Sequence, residues 1–225
     1  MIVYEADKKQ FLSDNNDRDI EDVILAKYFS ATGRKVPAAE KRSWKESLGY
    51  MAKVLSDSEI PSDVGVAVEL HIPQSSKRID ISLTGRGHDD SKNVVIVELK
   101  QWDEVKSSTK DALVKTYLGG GLREVVHPSY QAWSYASLME GFNEAVYSGG
   151  ISVQACAYLH NYERDGVIDS AHYADYIAKA PLFLKGETER SLLRNFIKQH
   201  IKCGDSEVLY ELSNGRIRLL APAEI

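Results

Sequence analysis

The sequence predicts an α/β fold in which a mixed central β-sheet is flanked by helices. Three observations carry this expectation. Residues 40–56 place apolar side chains at helical spacing, residues 64–100 read as a run of strands, and a further helix and apolar strand follow between 127 and 159.

Taken in order, residues 17–31 space Ile20, Val23, Ile24 and Tyr28 for a helix, which Gly33 would end. In residues 40–56, Trp44, Leu48, Met51, Ala52 and Leu55 share one face, and Ser43 with Glu46 has the form of a capping box. Val64 to Ile72 alternates apolar with polar and stops at Pro73. From Lys77 to Leu83, period-two logic puts Arg78, Asp80 and Ser82 on one face and Ile79, Ile81 and Leu83 on the other. Val94 to Val97 is apolar on both faces, as a central strand should be, and runs directly into Glu98-Leu99-Lys100. Segment 101–127 is polar and broken by Gly119–Gly121. Pro128 suits the first turn of a helix that continues through Phe142. Ile151 to Leu159 is another strand, and a helix is expected near 187–202. Residues 208–220 look like a hairpin turning at Asn214-Gly215. Residues 1–165 are then expected to form the core with its N-terminal helices, and 166–225 a C-terminal extension of the same domain.

The chain has 225 residues, 43% of them hydrophobic and 27% charged, which is enough apolar material for a core without disulfide or metal staples. Cys156 and Cys203 lie far apart with no CxxC partner, a usage suited to a reducing cytoplasm. The N-terminus has no apolar signal-peptide core, and no apolar run approaches the roughly 20 residues that a membrane helix needs. A net charge of −5 gives no general affinity for phosphates, so a nucleic-acid partner would need grip from elsewhere. No GxxxxGK[ST] loop and no HExxH spacing occurs, which excludes a nucleotide-hydrolysing motor and a zincin site within these residues.

The chemistry concentrates around Glu98 and Lys100, which share a strand face and follow a buried stripe. If strand 77–83 pairs with strand 94–100, Asp80 converges on Glu98. Two adjacent carboxylates repel unless a cation holds them. Mg²⁺ or Mn²⁺ suits such a hard-oxygen site, with the Leu99 carbonyl as a further ligand. A cation there activates water, and Lys100 orients that water or stabilises charge developing on a phosphate. The plainer reading makes Asp80 and Glu98 solvated strand-end charges with Lys100 as their ion-pair partner. Gln131 and Tyr135 stack at i, i+4 on the following helix, as a site wall or as interfacial packing. Glu46 is either a capping residue or a further metal ligand. Glu40 flanks Trp44 on the same helix, Glu69 is a weaker candidate, and Glu21 reads as a surface charge. His127 is a helix N-cap or a phosphate contact.

The order RxDISL, then NVVIVELKQW, then HPSYQAWSY resembles RecB-type PD-(D/E)xK nucleases, in which a Q-x3-Y motif follows the ExK strand. SWKESL and VELHIP join these stretches in a closer likeness. They are most similar to the N-terminal region of a bacterial family in which a nuclease-like domain precedes a Schlafen-related P-loop helicase domain. The resemblance spans roughly residues 40–165, and Ile79 stands at the position of the motif's proline. It implies a restriction-endonuclease-like core and hydrolysis of phosphodiester bonds in DNA, with RNA as the alternative substrate. It also implies Asp80 and Glu98 as metal ligands, Lys100 as the catalytic lysine, Gln131 and Tyr135 as the accessory motif, and a helicase/ATPase domain in cis or in trans. The rival expectation is a catalytically silent nucleic-acid-binding or interaction module.

Overall fold

The central strands form because β-branched residues alternate or run continuously through 65–100, and the sheet they make organises everything else. A computed structural model describes residues 2–72 and 77–215. Six strands lie in the order β1 (Ile2–Asp7), β2 (Gly65–His71), β3 (Arg78–Arg86), β4 (Lys92–Lys100), β8 (Ser152–Leu159) and β9 (Leu182–Phe183). The first four are mutually antiparallel, while β4–β8 and β8–β9 are parallel, so the sheet is mixed.

Helices cover both faces. On one side α1 (Lys8–Asp17), α2 (Ile20–Thr32), α3 (Ala38–Leu55) and α7 (Glu187–His200) bury Phe11, Ile24, Leu48, Met51 and Ile197 against Val66, Ile81, Val95 and Val97. On the other, α4 (Pro128–Phe142), α5 (Glu144–Tyr147) and α8 (Ser206–Asn214) pack Ala132, Met139, Val146 and Leu212 on Ile79, Val94 and Ile96. Neighbouring residues of β4 therefore point into opposite cores, which is why the apolar run 94–97 is continuous. A second sheet of β5 (Lys106–Ser107), β6 (Leu113–Leu118) and β7 (Gly121–Val126) joins β4 to α4. It covers a third cluster with Val105, Val114, Leu159 and Tyr173, alongside the short helix α6 (Ala174–Lys179).

Several expectations are corrected. Residues 208–212 are helical rather than the first strand of a hairpin, because Asp205 caps the helix by accepting from Glu207 N, and Val208 and Leu212 land on one buried face. Residues 216–220, its expected second strand, lie outside the described residues. Segment 101–127, to which the sequence assigned no element, contains a meander whose tight turn is made by Gly119 and Gly120 with φ of 59° and 81°. Ser43 does not cap a helix: α3 begins at Ala38 behind Pro37, so both Ser43 and Glu46 lie inside it. The strand and helix at residues 2–17 carried no reading as structure; β1 is only six residues long, and too short for periodicity to declare. Ile79 joins the core opposite to that of Ile81 and Leu83, so the simple alternation fails at Asp80. Beside it, Glu69 sits in left-handed backbone (φ 55°), which disturbs the regular pleat of β2 at that level. Among the described residues no helix is long and apolar enough to cross a membrane. Cys156 is a buried free thiol and Cys203 an exposed one.

Candidate active site

Strands β3 and β4 pair from Arg86↔Lys92 as far as Ile81↔Val97 and part there, while β4 stays paired with β8 to its last residue, Lys100. The fork leaves the Leu99 N–H without a ladder partner, and Asp80 Oδ2 accepts it at 2.8 Å. A side chain thus replaces a strand, and this draws Asp80 toward Glu98.

Glu98 is only 2% exposed. Its Oε1 accepts from Lys100 Nζ at 2.7 Å and from Gln131 Nε2 at 2.7 Å, while its Oε2 is buried with no hydrogen-bond partner. Burial above all raises the pKa of both carboxyls, and for Glu98 the Asp80 charge adds to it, with Lys100 opposing. For Lys100 burial works downward, but Glu98 and Asp80 outweigh it, so its pKa ends above the ordinary lysine value. Lys100 is therefore a fixed cation near neutral pH and not a proton acceptor.

Helix α4 reaches the fork because His127 and Pro128 start it at a fixed place. His127 Nδ1 accepts from Ser129 N, so Nε2 carries the hydrogen and donates to Ile168 O at 2.9 Å. One turn on, Gln131 holds Glu98 and also donates to Tyr135 OH at 2.9 Å. Tyr135 is 7% exposed, so its ring offers no stacking face, and the Gln131 amide is engaged by the carboxylate. Both orient Glu98 through one chain of hydrogen bonds. The capping role of His127 holds, and the residue is fully buried.

On the far side of Asp80 lies a cleft of about 250 Å³ between α3 and the strand ends. Its charged lining is Glu40, Glu69, Arg78 and Asp80. Arg78 donates to Glu40 at 2.7 Å and lies 3.0 Å from Glu69 Oε2, an oxygen with no well-directed hydrogen bond. Trp44 Nε1 donates to Glu69 Oε1 at 2.8 Å. Burial pushes the Glu69 carboxyl up to about 7 despite Arg78. Gln101 ties the end of β4 to α3 through Ser43 O and Ser47 Oγ.

The structure thus brings together Asp80, Glu98, Lys100, Gln131 and Tyr135. Glu46 is not brought to them: it is exposed and does not line the cleft, because Glu40, Ser43 and Ser47 occupy that helix face. Leu99 lines the cleft and contributes its N–H to Asp80. Glu21 is buried rather than superficial, paired with Lys45 at 2.8 Å. Arg78 had no assigned role in the sequence; its signal was its place two residues before Asp80, on the strand face shared with the acid.

Among the described residues no group of three or more His, Cys, Asp or Glu side chains is gathered in a metal-ligating cluster. The donor set at the fork nevertheless suits a hard divalent cation. It offers two neighbouring carboxyls that interact with each other, an ammonium paired with Glu98, and a buried Glu98 Oε2 that no N–H donor reaches. No protein-family model, no curated protein and no solved structure matches this chain.

Proposed function

We propose that this chain is a metal-dependent nuclease of the PD-(D/E)xK type with a restriction-endonuclease-like core. Its substrate is DNA, with RNA as the alternative, and it works beside a helicase/ATPase domain in cis or in trans. The observation that carries the reading is the unpartnered Glu98 Oε2 beside Asp80 at the strand fork, under a protonated Lys100. Asp80 and Glu98 would hold Mg²⁺ or Mn²⁺, and such a cation, when bound, lowers the pKa of water and offsets charge on a phosphate. The chain's own residues supply the rest. Lys100 presents an ammonium that neutralises a phosphate oxygen or orients the attacking water, and the centre of the Trp102 ring lies 5.5 Å from its Nζ. Gln131 and Tyr135 keep Glu98 aimed, and the Leu99 N–H keeps Asp80 aimed. The setting that fits best is cytoplasmic.

One observation favours a silent nucleic-acid-binding module instead: Glu98 is almost wholly buried, with one oxygen already taken by Lys100 and Gln131. Calorimetric titration of Mg²⁺ and Mn²⁺ into the wild type and Asp80→Asn separates the readings, with plasmid and single-strand cleavage followed in parallel. Binding and cleavage are expected in the wild type, with both lost in Asp80→Asn. Cation binding without cleavage favours the silent module, and no binding to the wild type sinks the nuclease.

A further inference from the structure

We infer that the outer face of the β5–β6–β7 sheet is a docking surface for single-stranded nucleic acid. The inference deepens the proposed function and rests on that reading for its biological sense. The face follows from register. Lys106 pairs with Lys115, Lys115 with Glu124, Tyr117 with Leu122 and Leu113 with Val126, so these residues share one side of the sheet. The other side is used: Val114 and Thr116 are buried, and Val125 packs on the third core cluster.

The outer side is apolar, aromatic and cationic at once. Tyr117 is 53% exposed and Leu122 45%, with Val126 beyond them. Lys106 and Lys115 stand directly opposite each other on adjacent strands, an arrangement that costs stability unless an anion lies over it. Lys106 Nζ pairs with Glu104 at 3.4 Å and lies 5.3 Å from the centre of the Tyr117 ring, and Tyr117 and Glu104 together hold its pKa up. Lys115 Nζ has no side-chain hydrogen bond or ion pair with a described residue, although Glu124 stands opposite it on the next strand. The one acid of the face, Glu124, is neutralised by Lys110 at 2.5 Å and accepts from Ser108. Residues 104–126 therefore carry four basic residues against three acidic ones, in a chain whose net charge is −5.

An exposed tyrosine ring beside one lysine, with a second lysine on the same face, is what a phosphate chain with unstacked bases needs. Bases stack on the tyrosine and phosphates cross the lysines, whereas a duplex keeps its base faces covered. The sheet is also continuous with the catalytic fork. Trp102, beneath Lys100, packs into the same cluster as Val105 and Val114 on the underside of this sheet.

The test is fluorescence anisotropy of a labelled oligo-dT of about 20 nucleotides with the full chain in EDTA, over a series of salt concentrations. The expected result is binding that Tyr117→Ala weakens about tenfold or more, that Tyr117→Phe retains, and that Lys115→Gln weakens with a salt slope shallower by about 0.7. Thermal midpoints of the three variants should match the wild type, since the side chains are at the surface. Unchanged affinity in Tyr117→Ala and Lys115→Gln overturns the proposal, as does equally tight binding of a blunt duplex. A dimer in light scattering that Tyr117→Ala dissolves also overturns it, making the face a contact between copies. Because EDTA removes the cation, the result is independent of whether Asp80 and Glu98 support cleavage.

Discussion

At the scale of single residues, the fork is a place where buried carboxyls cost the fold stability. Glu98, Asp80 and Glu69 all have folded-state carboxyl pKa values above their ordinary ones, chiefly through burial. A group raised in this way stabilises the fold fully below its unfolded value and loses that contribution as pH rises through the folded value. For Glu69 the window runs from 4.5 to about 7. The buried histidines His127 and His160, lowered mainly by burial, slope the other way, so the informative quantity is a difference between proteins. Asp80→Asn keeps an acceptor for the Leu99 N–H while removing one of two facing charges. In EDTA near pH 8 its thermal midpoint is expected to exceed that of the wild type by about 2–4 °C, the gap closing toward pH 5. Adding Mg²⁺ or Mn²⁺ should raise the wild type and leave the variant where it is. A wild type already as stable as Asp80→Asn at the higher pH would show that the carboxylates do not repel.

At the scale of elements, helix α4 positions the site from its first turn. His127 is buried, stacked on Tyr173 at a ring distance of 4.4 Å, and bonded through both ring nitrogens. His127→Ala removes the cap and strands the Ile168 carbonyl. A loss of roughly 2–3 kcal/mol is expected from urea denaturation, as the sum of a cap and an orphaned buried acceptor. Cleavage should fall in kcat with little change in KM, since Gln131 no longer holds Glu98 to its place. His127→Asn, which can still cap, should recover part of the stability. The cap was legible in the sequence because His-Pro before an apolar helix is a local signal. The role of Gln131 was not, because its partner is on another element.

At the scale of the whole molecule, the sheet holds the fork rigid from both sides. Ile96 is fully buried in the centre of β4, one core away from Val95 and Val97. Ile96→Ala is expected to cost roughly 2–5 kcal/mol by urea denaturation, because the α4 core cannot collapse onto a strand paired on both edges. Tyr117→Ala, on the outer sheet, should cost almost nothing by the same measurement. A large loss there would mean that the small sheet is part of the core. The helix and strands from Ala38 to Lys100, and the helix and strand from Pro128 to Leu159, were readable from periodicity. The meander at 106–126 and the C-terminal helix α8 were not. In both, short polar segments take their state from what they pack on.

The sequence by itself determined the elements with strong local pattern. The two-faced apolar run of β4, the amphipathic α3 and the His-Pro start of α4 are dictated by side-chain period and capping chemistry. It also placed Asp80, Glu98, Lys100, Gln131 and Tyr135 on elements that could meet. Only the tertiary structure decided how they meet. The parting of β3 from β4 beyond Ile81↔Val97 frees one N–H, and Asp80 takes it. Packing of α3 across the strand ends brings Glu40 and Arg78 to the cleft and leaves Glu46 outside. Such outcomes depend on which backbone groups lose a partner when whole elements dock, and that is a balance between elements distant in the chain which no local window contains.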